Sequence, residues 1–202
     1  MQEKNERQTN QARTEATRKA LIHAGRALFA EKGYADTGTP EIVKAAAVTR
    51  GALYHHFRDK ADLFGAVVRA EAESVASEIE VGSVDARTAA AALEAGGAAY
   101  FGAMAAPGRI RLLLLDGPAV LGHAAIREID AATGGGALRD GLAAALPETT
   151  QPDRIDALAD MLSAAFDRAA IAIAAGASAL AYRESLGHLV DALIGGAKKN
   201  PR

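Results

Sequence analysis

Residues 37–57 read TGTPEIVKAAAVTRGALYHHF, two short helical patterns joined by a tight turn. Thr39-Pro40 announces the first, with a hydroxyl at the N-cap and then proline at the first helical position, where no N–H is needed. Ile42, Val43, Ala45 and Ala46 carry that helix to Ala47-Val48. Thr49 caps the second helix, which runs from Arg50 to about Phe57. Ile42, Ala46, Val48 and Leu53 are spaced to pack the pair together, and the small Ala45 and Ala46 permit close approach. This is helix-turn-helix geometry, whose second helix enters the major groove of DNA. Thr49, Arg50 and Gly51 stand at the start of that helix, where backbone N–H groups and the helix dipole attract phosphate. Arg50 has the fork to read O6 and N7 of guanine. Gly51 has no side chain to hold the backbone away. Tyr54 and His55, and Lys60 at the next helix start, are placed to meet backbone phosphates.

Outward from this unit the whole chain reads as helix. Residues 1–13 are polar and charged and are expected to form a disordered arm. From Thr17 a helical face carries Leu21, Ile22, Gly25, Leu28 and Phe29, and Gly33 is placed to end it in a left-handed cap. Asp59 caps a helix running through Leu63, Phe64, Val67 and Val68 to about Glu80, with Asp62 in its first turn. Further helices are expected from about Asp85 to residue 106, ended by Pro107-Gly108, over Arg109 to Asp116 with a stop at Gly117-Pro118, and from about Ala119 to Pro147 with a bend at Gly134–Gly136. Two long ones follow, over about 153–175 and 178–195, split at Gly176. No segment alternates like a strand and none repeats. The expectation is an all-α chain of about nine helices, with a DNA-binding unit over residues 1–64 and a helical ligand-binding and dimerisation domain over residues 65–202.

Composition agrees with that reading. Half of the 202 residues are hydrophobic, chiefly alanine and aliphatics, and only 4% are aromatic, a mix that favours helices. The net charge of −2 hides an asymmetry. Residues 1–62 hold 11 Lys/Arg against 8 Asp/Glu, and the remainder 12 against 17, so the balances are +3 and −5. A cationic end on an acidic body suits a protein that touches a polyanion at one end. No apolar run approaches the ~20 residues that span a bilayer. The N-terminus has no secretory pattern, and a cytoplasmic protein is expected. Cysteine is absent. Nucleophile-elbow, dinucleotide, P-loop and zinc-protease motifs are also absent, so no enzyme and no cofactor are expected. Adjacent His55 and His56 point about 100° apart on a helix and make a poor chelate. His23, His123 and His188 stand alone in sequence, and no metal is expected.

The stretch from the first helix to the fourth resembles the tetracycline-repressor (TetR) family. The residues that carry the resemblance are LFAEKGY at 28–34, DTGT at 36–39, EI at 41–42, LYHHF at 53–57 and KADLF at 60–64. One departure is Ala47, where the family often has glycine. The resemblance implies a homodimeric regulator of transcription, most simply a repressor, that binds a palindromic operator. It places Thr49, Arg50 and Gly51 near the bases, and Thr37, Thr39, Tyr54, His55 and Lys60 on the DNA backbone. It also implies dimerisation through the last two helices and a pocket between them and the DNA-binding end.

In that C-terminal part, Tyr100, Phe101, Met104, Leu114 and Phe166 suit a concave, mostly apolar effector site, with Asp116 and His123 as polar groups to orient a ligand. Each aromatic reads equally well as plain core, and Asp116 equally well as a helix-end residue. Leu158, Leu162, Ala165, Leu186, Leu189 and Leu193 are expected at the dimer axis. A regulator without a small-molecule effector remains the alternative, with an enzyme carrying a structural helix-turn-helix as a third reading. The sequence names neither effector nor operator.

Overall fold

The computed structural model describes the backbone of residues 2–199 and the side chains of residues 11–196. Ten α-helices account for these residues, with no strand among them: α1 (Gln2–Lys32), α2 (Thr39–Ala45), α3 (Arg50–His56), α4 (Lys60–Ser83), α5 (Ala89–Met104), α6 (Gly117–Leu121), α7 (His123–Ala131), α8 (Gly134–Ala145), α9 (Pro152–Ala174) and α10 (Ala179–Lys199). None is long and apolar enough to cross a membrane among the described residues. The count exceeds nine because Gly122, at φ +82°, separates α6 from α7, and α8 starts afresh at Gly134.

Several local expectations are corrected. Residues 2–13 are not an irregular arm but the first turns of α1. No proline or glycine occurs between Gln2 and Ala24, and Gln, Glu, Lys, Arg and Ala are good helix formers. The N-cap of α2 is Gly38 rather than Thr39, and the Glu41 carboxylate accepts from the Gly38 N–H at 3.3 Å. Gly117-Pro118 does not stop its helix. Arg111–Asp116 is wound as a π turn that leads directly into α6. In an α-helix the ring of Pro118 would press on the carbonyl four residues back, and the wider π turn relieves that clash.

Other caps form as the sequence predicts. Gly33 follows α1 at φ +86°, Thr49 Oγ1 accepts from Ala52 N at 3.1 Å, and the Asp59 carboxylate accepts from Asp62 N at 2.8 Å. Ala47 supplies the left-handed residue between α2 and α3, at φ +53°.

The core of the N-terminal unit is Leu21, Phe29, Ile42, Leu53, Phe57, Leu63, Phe64 and Val67, joined by Leu112 of the π turn and Ile129 of α7. Phe64 meets Phe29 edge-on at 5.1 Å and Tyr34 at 5.0 Å, contacts worth about 0.5–1.5 kcal/mol each beyond their burial. α4 runs unbroken through residue 64, so the two halves share a rigid strut rather than a linker. Two further clusters fill the C-terminal part. One gathers Val75, Phe101, Met104, Ala169 and Leu186, and the other Leu93, Leu142, Leu162, Val190 and Ile194.

Where the halves meet, Glu71 of α4 is 6% exposed and holds two guanidinium groups. Arg26 of α1 donates to it at 2.9 and 3.2 Å, and Arg109 donates at 2.6 Å. Arg109 also donates to the Ala103 carbonyl at 2.6 Å and to Glu78 at 2.9 Å. Burial pushes the Glu71 carboxyl up, but its bonds to Arg26 and Arg109 outweigh that and hold it below the ordinary range. Gly108 (φ +78°) precedes Arg109, and a Cβ there would lie against Ala30 of α1, so only glycine allows this approach.

Two variants test these points. Glu71→Ala leaves Arg109 buried with only the exposed Glu78 carboxylate as its charge partner and is expected to cost about 3 kcal/mol in urea unfolding. The Glu71 contribution is full above the ordinary carboxylate range and lost as pH falls through the depressed value, so the variant should show a shallower acid loss of stability. An acid profile identical to wild type would exclude Glu71 as an acid-labile tie. Ala47→Gly removes a left-handed strain of about 1–2 kcal/mol and adds unfolded-state freedom worth about 0.4–1 kcal/mol. A net gain of about 0.5–1 kcal/mol is expected, and an unchanged urea midpoint would show that the turn is unstrained.

Candidate nucleic-acid interface and internal cavity

α3 projects from the unit formed by α1, α2 and α4. Its buried anchor is Leu53, with Phe57 behind it, while Thr49, Arg50, Gly51, Tyr54 and His55 are exposed. The Thr49 hydroxyl oxygen is occupied by the Ala52 N–H, which leaves its hydrogen to donate outward. The Arg50 guanidinium lies 5.5 Å from the centre of the Tyr54 ring one turn on. That stacking holds a long cationic side chain with less loss of freedom on binding. The rings of His55 and His56 meet edge-on at 5.3 Å. Burial, then neighbouring His55 and Arg18, lowers the His56 pKa, so His56 stays neutral at neutral pH.

Two expected phosphate contacts are placed differently. Thr37 is 1% exposed, and its hydroxyl donates to the Gly33 carbonyl at 2.7 Å. The end of α1 leaves carbonyls unpaired, and Thr37 satisfies one of them, so its side chain faces inward. Lys60 is half-buried, and its ammonium donates to the Tyr34 carbonyl at 2.9 Å and the Thr37 carbonyl at 3.0 Å, above the Tyr34 ring. It clamps the α1–α2 turn and keeps one of three donors free. Thr39 is partly exposed at the first turn of α2.

The C-terminal helices line a partly open cavity of about 420 Å³ between α4, α5, the π turn and α7–α9. Of the sequence-predicted pocket residues, Tyr100, Met104, Leu114, His123 and Phe166 line it. Phe101 does not: it is core, 5.6 Å from Phe166. Asp116 does not either, because its carboxylate faces the other way and accepts from the Tyr34 N–H at 2.9 Å. Arg111 on the same turn donates to the Glu31 carbonyl at 2.8 Å. Leu113 and Leu114 of this turn line the cavity, while Arg111 and Asp116 grip the end of α1.

The cavity also contains groups that sequence reasoning missed. The Tyr100 phenol donates to Asp167 at 2.7 Å, and the Ser163 hydroxyl donates to Asp130 at 3.1 Å. Burial pushes the Asp130 carboxyl up, and burial with nearby Asp130 pushes Asp167 to about 6. A Cβ on Gly135 would collide with the Asp130 carboxylate, so a glycine is needed beside it. A signal was present in the sequence: Asp160, Ser163 and Asp167 recur at helical spacing within an otherwise apolar stretch of α9.

The six residues expected at the dimer axis differ in their exposure on the protomer. Leu162 (2% exposed) and Leu186 (7%) are interior to the protomer. Leu158 and Leu193 pack on one core cluster and Ala165 on the other. Of the six, only Leu189 is exposed, together with Met161 (68%) and Leu180 (66%). Leu162 and Leu186 fill the protomer because α8 and α5 lie against those faces. No group of His, Cys, Asp and Glu among the described residues is arranged to hold a metal.

Comparison with known proteins gives two family matches. Residues 21–67 match the family described as "Bacterial regulatory proteins, tetR family", and residues 90–197 match "Tetracyclin repressor-like, C-terminal domain". The chain is 46% identical over 61 residues to the HTH-type transcriptional regulator AcrR of Shigella flexneri, covering 30% of this chain and 28% of that one. It is 39% identical over 62 residues to the HTH-type transcriptional repressor Rv1474c of Mycobacterium tuberculosis, covering 31% and 33%. The chain therefore spans about a third or less of the length of these curated relatives. A TetR-family transcriptional regulator of Pectobacterium atrosepticum shares the fold at a TM-score of 0.69 and 28% identity, over 95% of this chain and 98% of that one.

Lys60→Ala should lower the thermal midpoint as well as weaken DNA binding, because it unties Tyr34 and Thr37. A fall in the salt slope by about one unit with no change in midpoint would assign Lys60 to phosphate alone.

Proposed function

We propose that this chain, which belongs to the tetR family of bacterial regulatory proteins, is a homodimeric repressor that a small effector releases from a palindromic operator. The DNA-reading part is carried by one observation. Thr49, Arg50, Gly51 and Tyr54 stand exposed at the outer end of α3, with Arg50 stacked on Tyr54 rather than paired with an acid. Arg50 reads a guanine, and Thr49, Tyr54, His55 and the free Lys60 donor hold phosphates. The relatives named as regulators and as a repressor support this reading.

Dimerisation uses the outer faces of α9 and α10, where Met161, Leu180 and Leu189 leave apolar surface to water. A two-fold dimer presents two copies of α3 to successive turns of the major groove, hence a palindromic site.

The effector occupies the 420 Å³ cavity, within the range of small-molecule sites. Its signal passes through the π turn, which touches the cavity with Leu113 and Leu114 and the end of α1 with Arg111 and Asp116. A ligand that favours a π-turn position unsuited to the operator lowers operator affinity, and operator lowers ligand affinity by the same factor.

The test is selection of bound sites from a random duplex library. A palindrome is expected, and Arg50→Ala should cost about 1–3 kcal/mol and relax preference at one symmetric position. Met161→Glu should shift sedimentation towards monomer and abolish operator binding without unfolding the protomer, since Met161 is exposed there. No selected site, or an Arg50→Ala protein with unchanged preference, would overturn the assignment of α3 as reader.

A further inference from the structure

We infer that the cavity takes a cationic effector: an apolar molecule of small size carrying one positively charged nitrogen. This rests on the reading of the cavity as an effector site and adds the sign of the effector's charge.

The cavity wall is mostly aliphatic and aromatic, which sets the body of the ligand. Its sheltered polar groups set the charge. Asp130 and Asp167 are both half-buried and line the cavity from α7 and α9. Neither is paired with a cationic side chain among the described residues. Each has only a neutral hydroxyl as its side-chain donor, from Ser163 and Tyr100. Asp160, also on the lining, pushes Asp130 further up, but it is exposed and its charge is screened by water. The two basic residues on the lining, His123 and Arg127, are exposed and screened by water. An anionic ligand would therefore be repelled inside and held only at the mouth. A cation entering between Asp130 and Asp167 supplies the charge partner that the protein lacks. The rings of Tyr100 and Phe166, 5.7 Å apart on the same wall, add faces that attract a cation.

A proton and a cationic ligand compete for the same carboxylates. Asp167 sits near 6, so it is ionised above that pH and neutral below it. Ligand affinity should rise as pH increases through about 6, and ligand binding should release protons. The ionisable groups facing the site are Tyr100, His123, Arg127, Asp130, Asp160 and Asp167. Tyr100 is pushed further up by burial and stays neutral throughout. His123 would oppose a cation when protonated, so the pH series is repeated with His123→Gln to remove it.

The experiment is isothermal titration calorimetry of the full chain with three probes of one shape: 6-phenylhexyltrimethylammonium, 6-phenylhexanol and 6-phenylhexanoate. The ammonium should bind about tenfold or more tightly than the alcohol at pH 7.5, and the carboxylate least. The ammonium-to-alcohol preference should shrink on lowering the pH to about 5, in wild type and in His123→Gln alike. It should also collapse in Asp167→Asn and in Asp130→Asn, whose folding is checked by their thermal midpoints. The pH arm in the wild-type chain keeps the inference testable should either variant fail to fold. Binding of the alcohol as tightly as the ammonium, or of the carboxylate above both, would overturn the charge assignment and leave the effector site standing. No binding by any of the three would overturn both.

Discussion

The fold turns on a carboxylate that has no business being buried except that two arginines surround it. Glu71 sits on α4, the one helix common to both halves of the chain, and draws Arg26 from the DNA-facing side and Arg109 from the other. Taking these ions out of water is expensive, and the cost is offset only while every donor is used. Every guanidinium nitrogen of Arg109 has a partner: Nε donates to Glu71, Nη1 to Glu78 and the Ala103 carbonyl, and Nη2 to Ser74. The knot therefore has one satisfactory geometry, and it fixes the angle between α1 and the start of the helix that becomes the π turn. Arg111 and Asp116 extend the same junction by gripping the carbonyl and N–H groups at the end of α1. The orientation of α3 is inherited from this junction, since α3 packs on α1 and α2 rather than on the C-terminal helices.

How much of this was legible in the sequence depends on distance along the chain. The caps at Thr49 and Asp59, the stop at Gly33 and the apolar spacing around Leu53 act over three or four residues, and all were readable. The Glu71–Arg109 tie spans 38 positions, and nothing local marks it. Thr37 and Lys60 have the right chemistry for phosphate and sit in the right turn. Thr37 faces inward and Lys60 bonds back across the turn because that turn exposes carbonyl groups which something must satisfy, a need invisible until the chain is folded. Residues 2–13 differ for another reason: their polarity suggests disorder, yet the same residues are good helix formers.

The C-terminal half was legible as helices but not as faces. α9 is rich in alanine, and α10 carries glycines and leucines on more than one side, so the pattern does not say which leucines point inward. Leu162 and Leu186, which their spacing suggests for an interface, instead complete the protomer, while Met161 and Leu180 stand exposed. The cavity was half legible. Its aromatic members announce themselves by type, but Asp130 and Asp167 come from separate helices and gain meaning only by meeting.

The π turn has a consequence in residue counting. A π turn holds one residue more than the α turn it replaces, so everything beyond it is rotated by about 100° relative to an uninterrupted helix. Asp116 reaches Tyr34, and Pro118 finds room, because of that surplus residue. A relative in which this helix is plain α is one residue shorter at the same place, although both helices begin and end together in space. Matching the two residue by residue requires a gap inside a helix, where gaps are ordinarily refused. An ungapped match would pair Asp116 with a position on the wrong side of the relative's helix, so position-based transfer of function across 111–116 fails even where the folds superpose.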